Sequence, residues 1–286
     1  MNHFLSKLKA FNELIMFQHS IFSLPFIFIA MIVSANGWFG WELFGLGLLA
    51  AITARNFAMG LNRYADIDID AKNPRTQNRP NVDGRLSKNS IFLFTLANAF
   101  GFVIVAYFVN SLAFWMSFPI LFVLGSYSYF KRFSELAHLV LGISLGLAPI
   151  AGVVAVEAAI PMWSVLLGIG VMFWVAGFDL LYSLQDMDFD KERGLFSIPS
   201  RYGAEATLFI AALFHVIAVI FWIFFTWDAS LGLFAWVAVV FSANMLFYEH
   251  KLVRKDFTKI DRAFFTVNGY LGIIFLILII LDRSFS

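Results

Sequence analysis

Two short acidic stretches hold the residues of this sequence best suited to chemistry. "NRYADIDID" occupies 62–70 and "DMDFDKER" occupies 186–193, each at the end of a long apolar run. In the first, Asn62, Asp66 and Asp70 recur every four residues, so on a helix each lies about 40° around from the last and all three share a face. Asp68 points elsewhere. In the second, Asp179, Asp186 and Asp190 follow spacings of seven and four, again on one face, with Asp188 off it. The five histidines show no ligand spacing and read as interfacial or core residues; there is no cysteine, hence no disulfide or thiolate site. Hard oxygen donors of this kind suit Mg²⁺, which is usually held by one or two carboxylates together with a substrate's phosphates. One DxxxD at a helix end is ordinarily just solvated. Two on similarly organised helices point to a paired metal-diphosphate site built from Asn62, Asp66, Asp70, Asp186 and Asp190.

A diphosphate carries charge that metal neutralises only in part, so cationic side chains should converge on the same surface. Arg75, Arg79, Lys131 and Arg193 are the candidates, and Tyr127, four residues before Lys131 in "YSYFK", shares its face. Arg55 stands apart. It precedes Asn62 by seven residues, which places it on the same face about 10 Å deeper, where an unpaired guanidinium is expensive. It is expected to face a polar cavity, either in a salt bridge within the bundle or gripping the carboxylate of an aromatic acid in bidentate fashion.

The elements that position these residues are membrane helices. Of 286 residues 60% are apolar and 14% charged, far from the roughly 45–50% and 25% of soluble domains. The apolar runs lie at about 19–36, 41–64, 89–109, 112–130, 135–155, 163–184, 204–226, 229–248 and 262–282, which predicts an all-α bundle of nine spans. A barrel is excluded because its strands would alternate polar and apolar residues. Eighteen of the 20 Lys and Arg residues fall before the first run or in the connections after the second, fourth, sixth and eighth. By the positive-inside rule the N-terminus and both acidic stretches then face the cytoplasm. The amphipathic segment 4–17 lacks a small-residue cleavage site, so no removable signal peptide is expected. Two connections, 66–87 and 186–201, share an order of acidic cluster, basic residues, glycine and proline, which suggests a pseudo-repeat of helix and acidic cap, at 62–70 and 179–190, within one domain over 1–286.

These residues resemble the UbiA superfamily of intramembrane aromatic prenyltransferases. Asn62, Asp66 and Asp70 fit its NxxxDxxxD motif, followed in order by "RTQNRP" (75–80) and "GRLS" (84–87). Asp186 and Asp190 fit its second DxxxD, preceded by Asp179 and Tyr182 and followed by Gly194 and Ser197; Tyr127 and Lys131 fit its YxxxK, and Arg55 the arginine seven residues before the motif's asparagine. The match looks nearest to bacterial 4-hydroxybenzoate polyprenyltransferases, including the menaquinone-pathway (MqnP) group that takes 1,4-dihydroxy-6-naphthoate. Arg63 stands where classical ubiquinone-pathway members carry Asp, and Asn81 where Leu is usual. The resemblance implies a Mg²⁺-dependent enzyme of the bacterial cytoplasmic membrane that joins a polyprenyl diphosphate to an aromatic acid, with Asp179 a candidate proton acceptor and no nucleic-acid partner. A transporter is the rival reading. It predicts charges near the midplane of several helices, whereas here they gather at one end, with Arg55 the main exception.

Overall fold

Apolar runs become separate helices where a side chain can take over the backbone bonds that a helix end leaves unmade. The computed structural model describes residues 2–16, 22 and 24–285. Its helices are α1 (Asn2–Ile15), α2 (Leu24–Ser34), α3 (Trp41–Ala65), α4 (Ile67–Asp70), α5 (Lys88–Val109), α6 (Ser111–Phe130), α7 (Ala137–Glu157), α8 (Met162–Ser183), α9 (Met187–Glu192), α10 (Ile198–Asp228), α11 (Leu233–Lys255), α12 (Ile260–Arg262) and α13 (Asn268–Phe285), with no strand among the described residues. Asn110 alone separates α5 from α6. Its side-chain oxygen accepts from the Ala113 amide at 2.8 Å, and its amide donates to the Val154 carbonyl of α7 at 2.7 Å, so a polar residue at the turn also pins the next hairpin. At the start of α11, Asp282 of α13 accepts from the Gly232 and Ala235 amides at 2.9 and 3.2 Å.

Among the described residues, eight segments are long and apolar enough to cross a membrane. They correspond to eight of the nine expected runs. The first expected run, 19–36, is represented by α2, whose 11 residues span only about 16 Å; residues 19–21 and 23, including His19, lie outside the described residues. The seventh run begins earlier than hydropathy indicates. Ser197 and Ser200 form a capping box with Pro199 in the first turn, so α10 starts at Ile198, and Gly203 (φ 79°, ψ 176°) kinks it where the apolar run begins.

Between helices that all prefer lipid, close approach replaces hydrophobic drive. Gly146 of α7 and Gly168 of α8 face each other so closely that a Cβ on either would stand 2.6–2.7 Å from the other's carbonyl oxygen. The centre is aromatic: Phe26, Trp174, Trp222 and Phe275 from α2, α8, α10 and α13 pack with ring centroids 5.1–6.2 Å apart. Exposed Trp41, Trp115 and Trp227 sit at the ends of α3, α6 and α10 remote from the acidic stretches, an aromatic girdle of the kind that marks a membrane interface. Gly146→Leu is expected to lower stability by about 1–3 kcal/mol or more by forcing α7 from α8, read as a lower melting temperature in detergent; an unchanged melting curve would show that the two helices do not approach this closely.

Candidate active site

Both acidic stretches begin with a break in the helix. α3 ends at Ala65, Asp66 takes φ −99° and ψ 10°, and α4 carries the motif on to Asp70. After α8 a single 3₁₀ turn leads to Asp186 at φ −103° and ψ 4°, and α9 carries Asp190. The first aspartate of each DxxxD therefore sits at the same kind of joint. The expected unbroken helical face is replaced by this bend, because the polar groups here bond across to the connections. Arg132 closes the first joint, donating to the Ala65 carbonyl at 2.6 Å and to Asp68 at 2.9 Å, which keeps Asp68 on the outer side.

Asp66 and Asp70 are only 2% and 4% exposed, and each is met by a cation from another element. Lys131, at the end of α6, places its ammonium 2.6 Å from Asp66, and Arg79 places its guanidinium 2.7 Å from Asp70. Burial pushes the Asp66 carboxyl above the usual carboxylate range, and Lys131 opposes that rise. In the second stretch Asp186 is held by Arg75 through two bonds, one at 2.9 Å from Nε, and by the Asn73 amide at 2.9 Å. Arg75 also donates to the Tyr182 hydroxyl at 3.1 Å. Asp190 lies near the Ser197 side chain and Lys131, and its carbonyl accepts from the Leu195 amide at 2.9 Å. Residues that follow the first acidic stretch by a few positions thus clamp the second, and the Lys131 carbonyl accepts from the Phe196 amide at 2.8 Å to tie in the second loop.

Other expected residues take different places. Arg193 lies over the Phe189 ring, 5.9 Å from its centroid, and forms no ion pair with either acidic stretch among the described residues. Asp179 pairs with His138 of α7 at 2.7 Å. Among the described residues Arg55 makes no salt bridge: it donates to the Ile15 and Met16 carbonyls at 3.3 and 3.1 Å, because the end of α1 leaves carbonyls without partners in their own helix. Its Nε is buried without a partner among the described residues. Asn62 does not turn its oxygen towards the carboxylates. Arg63 donates to that oxygen at 3.1 Å, and the Asn62 amide donates to Asp66 at 2.9 Å, so Asn62 orients Asp66.

The fit to a divalent cation can be judged from the donors. Among the described residues no three His, Asp or Glu side chains converge closely enough to hold a metal by themselves. Yet the Asp66 Oδ1 and the Asn81 Oδ1 are both buried without a hydrogen bond, and both are hard oxygen donors. The arrangement fits an ion that takes one or two ligands from each stretch and completes its shell with phosphate and water. Asn73, Asn81, Arg132 and His138 escaped the sequence reading as site residues. The asparagines lie in a turn-rich loop where Asn ordinarily serves the backbone, and His138 has no spacing signal.

Beside this polar surface runs an apolar tunnel of about 1210 Å³ including its mouth. It exists because α3, α5 and α7 present small residues to one another, among them Gly47, Ala50, Ala54, Ala58, Ala106 and Ala151. Along α3 it extends from Gly47 to Met59, about 18 Å. Arg55 and Tyr127 supply its polar wall, and Met59 precedes Asn62 by three residues.

The sequence profile described as the UbiA prenyltransferase family matches residues 23–278. The chain belongs to that family. A relative from Herminiimonas arsenicoxydans named 4-hydroxybenzoate octaprenyltransferase is 27% identical over 85% of this chain and 85% of its own length. The apo structure of a UbiA homologue from Aeropyrum pernix K1 superposes with a TM-score of 0.84 at 32% identity, covering 92% of this chain and 98% of that one. A UbiA homologue from Archaeoglobus fulgidus bound to DMAPP and Mg²⁺ shares the fold, with a TM-score of 0.77 at 18% identity over 97% and 100% of the two chains.

Asn81 donates to Asp70 and to the Arg63 carbonyl, both at 3.1 Å, from a position 7% exposed. Asn81→Leu should strip both bonds and cost about 1–3 kcal/mol of stability, measured by thermal unfolding of the purified protein. A variant as stable as the parent would mean that the loop is held by its other contacts alone.

Proposed function

We propose that this protein transfers a polyprenyl group from a polyprenyl diphosphate to a carbon of a hydroxylated aromatic carboxylate, using Mg²⁺ held between its two acidic caps. The observation that carries this reading is the clamp of Asn73 and Arg75 on Asp186. It directs both caps to one surface, at the head of a tunnel suited to an isoprenoid tail. The relative named 4-hydroxybenzoate octaprenyltransferase supports a long tail and a carboxylated phenol, and the homologue bound to DMAPP and Mg²⁺ supports a diphosphate with a divalent ion. Either 4-hydroxybenzoate or 1,4-dihydroxy-6-naphthoate has the required acidic ring, which places the product in quinone synthesis.

Asp66, Asp70, Asp186 and Asp190 would hold the ion, with Asn62 orienting the first of them. When bound, Mg²⁺ supplies Lewis-acid charge neutralisation of the departing pyrophosphate. Arg75, Arg79 and Lys131, which stand on the carboxylates, then bind phosphate oxygens, and Arg193 adds its charge from the second loop. Tyr182 fixes Arg75, while Tyr127 and the spare Nε of Arg55 address the acceptor. The bond between C1 and the diphosphate oxygen breaks with its electron pair leaving on pyrophosphate. The ring carbon supplies the pair for the new bond to C1, and its proton passes to Asp179. His138, which holds Asp179, shares a face of α7 with the tunnel residues Leu141 and Leu145. Exclusion of water by the apolar walls favours carbon-carbon bond formation over hydrolysis. The distribution of Lys and Arg supports a bacterial cytoplasmic membrane with the caps on the cytoplasmic side.

Asp66→Ala and Asp190→Ala should each reduce prenylation by roughly 100-fold or more, assayed by mass of the product formed from labelled polyprenyl diphosphate and a panel of aromatic acids. EDTA should have the same effect on the parent protein and added Mg²⁺ should reverse it; near-normal turnover by both variants would reject the ligand assignment. Arg55→Ala should raise KM for a carboxylated acceptor by roughly 10- to 100-fold and leave KM for the polyprenyl diphosphate in place. Equal loss for both substrates would make Arg55 a structural or phosphate residue.

A further inference from the structure

A second cavity, of about 1400 Å³ including the part open to its surroundings, lies between α10 and α11 and shares no lining residue with the tunnel. Its body is apolar, formed by Ala212, Val216 and Ile220 on α10 and Ala243, Leu246 and Phe247 on α11. Phe247 and Val216 are 73% and 56% exposed, so the groove opens sideways to the lipid that surrounds the bundle. One end is different. There Lys251, Arg254 and Lys255 form the rim, and among the described residues none of them is ion-paired with a carboxylate. Between rim and body stand His215 and His250, joined at 2.9 Å from Nδ1 to Nε2, and the His250 Nδ1 is buried without a hydrogen-bond partner. Glu249 does not line the groove: it is turned to Asn268 at 2.7 Å and stands behind His215 at 4.0 Å. The rim lies at the end of the bundle that carries the acidic caps, since Gln185 donates to Asp261, just beyond α11, at 3.1 Å.

We propose that this groove is a binding site for an anionic glycerophospholipid, distinct from the site of reaction. From Ala243 to Lys255 it runs about 18 Å along α11, long enough for an acyl chain below and a headgroup at the rim. An apolar body open to lipid selects a tail. Three cations without counter-charge select a phosphate diester over a zwitterion, as basic pockets between membrane helices do.

The test is native mass spectrometry of the delipidated full chain offered phosphatidylglycerol or phosphatidylcholine with identical acyl chains. The parent protein should retain phosphatidylglycerol preferentially, and the triple variant Lys251→Gln, Arg254→Gln, Lys255→Gln should lose that preference by roughly tenfold or more. Ala243→Phe, which fills the apolar body, should reduce retention of both lipids. Inorganic phosphate should fail to displace the lipid. Unaltered preference in the triple variant, unaltered retention in Ala243→Phe, or displacement by inorganic phosphate would each overturn the proposal. Binding of a polyprenyl diphosphate by both variants reports that the bundle is intact, and it reads the other site independently.

Discussion

A carboxylate withdrawn from water must find a cation or a set of donors, and the end of this bundle is arranged around that requirement. Asp66, Asp70 and Asp186 are each answered by a positive charge from a different piece of chain: the end of α6, the far half of the first loop and the near half of the same loop. None of these partners neighbours its carboxylate in sequence. The electrostatic demand of the acids is therefore also what folds the loop over them, and the loop's path is what brings two remote helices to a common face.

The tunnel answers an opposite demand. Packed interiors leave few voids, and this one persists because alanines and glycines on facing helices lack the volume to close it. Elsewhere the same small residues bring backbones into contact, as Gly146 and Gly168 do. What separates the two outcomes is whether the opposite helix brings its backbone forward or another alanine. Large aromatic side chains are meanwhile spent on the centre, where Trp174 and Trp222 are fully buried, and on the remote interface.

Much of this was legible in the amino-acid order. Runs of apolar residues fix eight long helices among the described residues because lipid leaves the backbone no alternative, and the four-residue spacing of the aspartates marks the end of the bundle where buried acids and cations meet. Partners were harder to read. Arg55 had the depth expected for a buried cation, yet its bond goes to carbonyls at the end of α1, which carry no sequence signature. Asn62 had the spacing of a ligand, but the adjacent Arg63 claims its oxygen, a consequence visible only when rotamers are known. Asn73 and Asn81 looked like turn residues and are turn residues; that their amides also reach Asp186 and Asp70 depends on the folded path of the loop. The kink at Gly203 shows the same limit, since hydropathy found where the apolar run starts and the capping serines decided where the helix does.

Three arginines fasten the short first helix to the rest. Arg55 holds its last carbonyls, Arg63 donates to the Leu14 carbonyl at 3.3 Å, and Arg85 grips Glu13 at 2.5 and 2.8 Å. Two of these also reach the candidate site, Arg55 as tunnel wall and Arg63 through the amide that aims Asp66. Detaching α1 would therefore strip partners from two arginines at once, one in the tunnel wall and one beside the amide that orients Asp66.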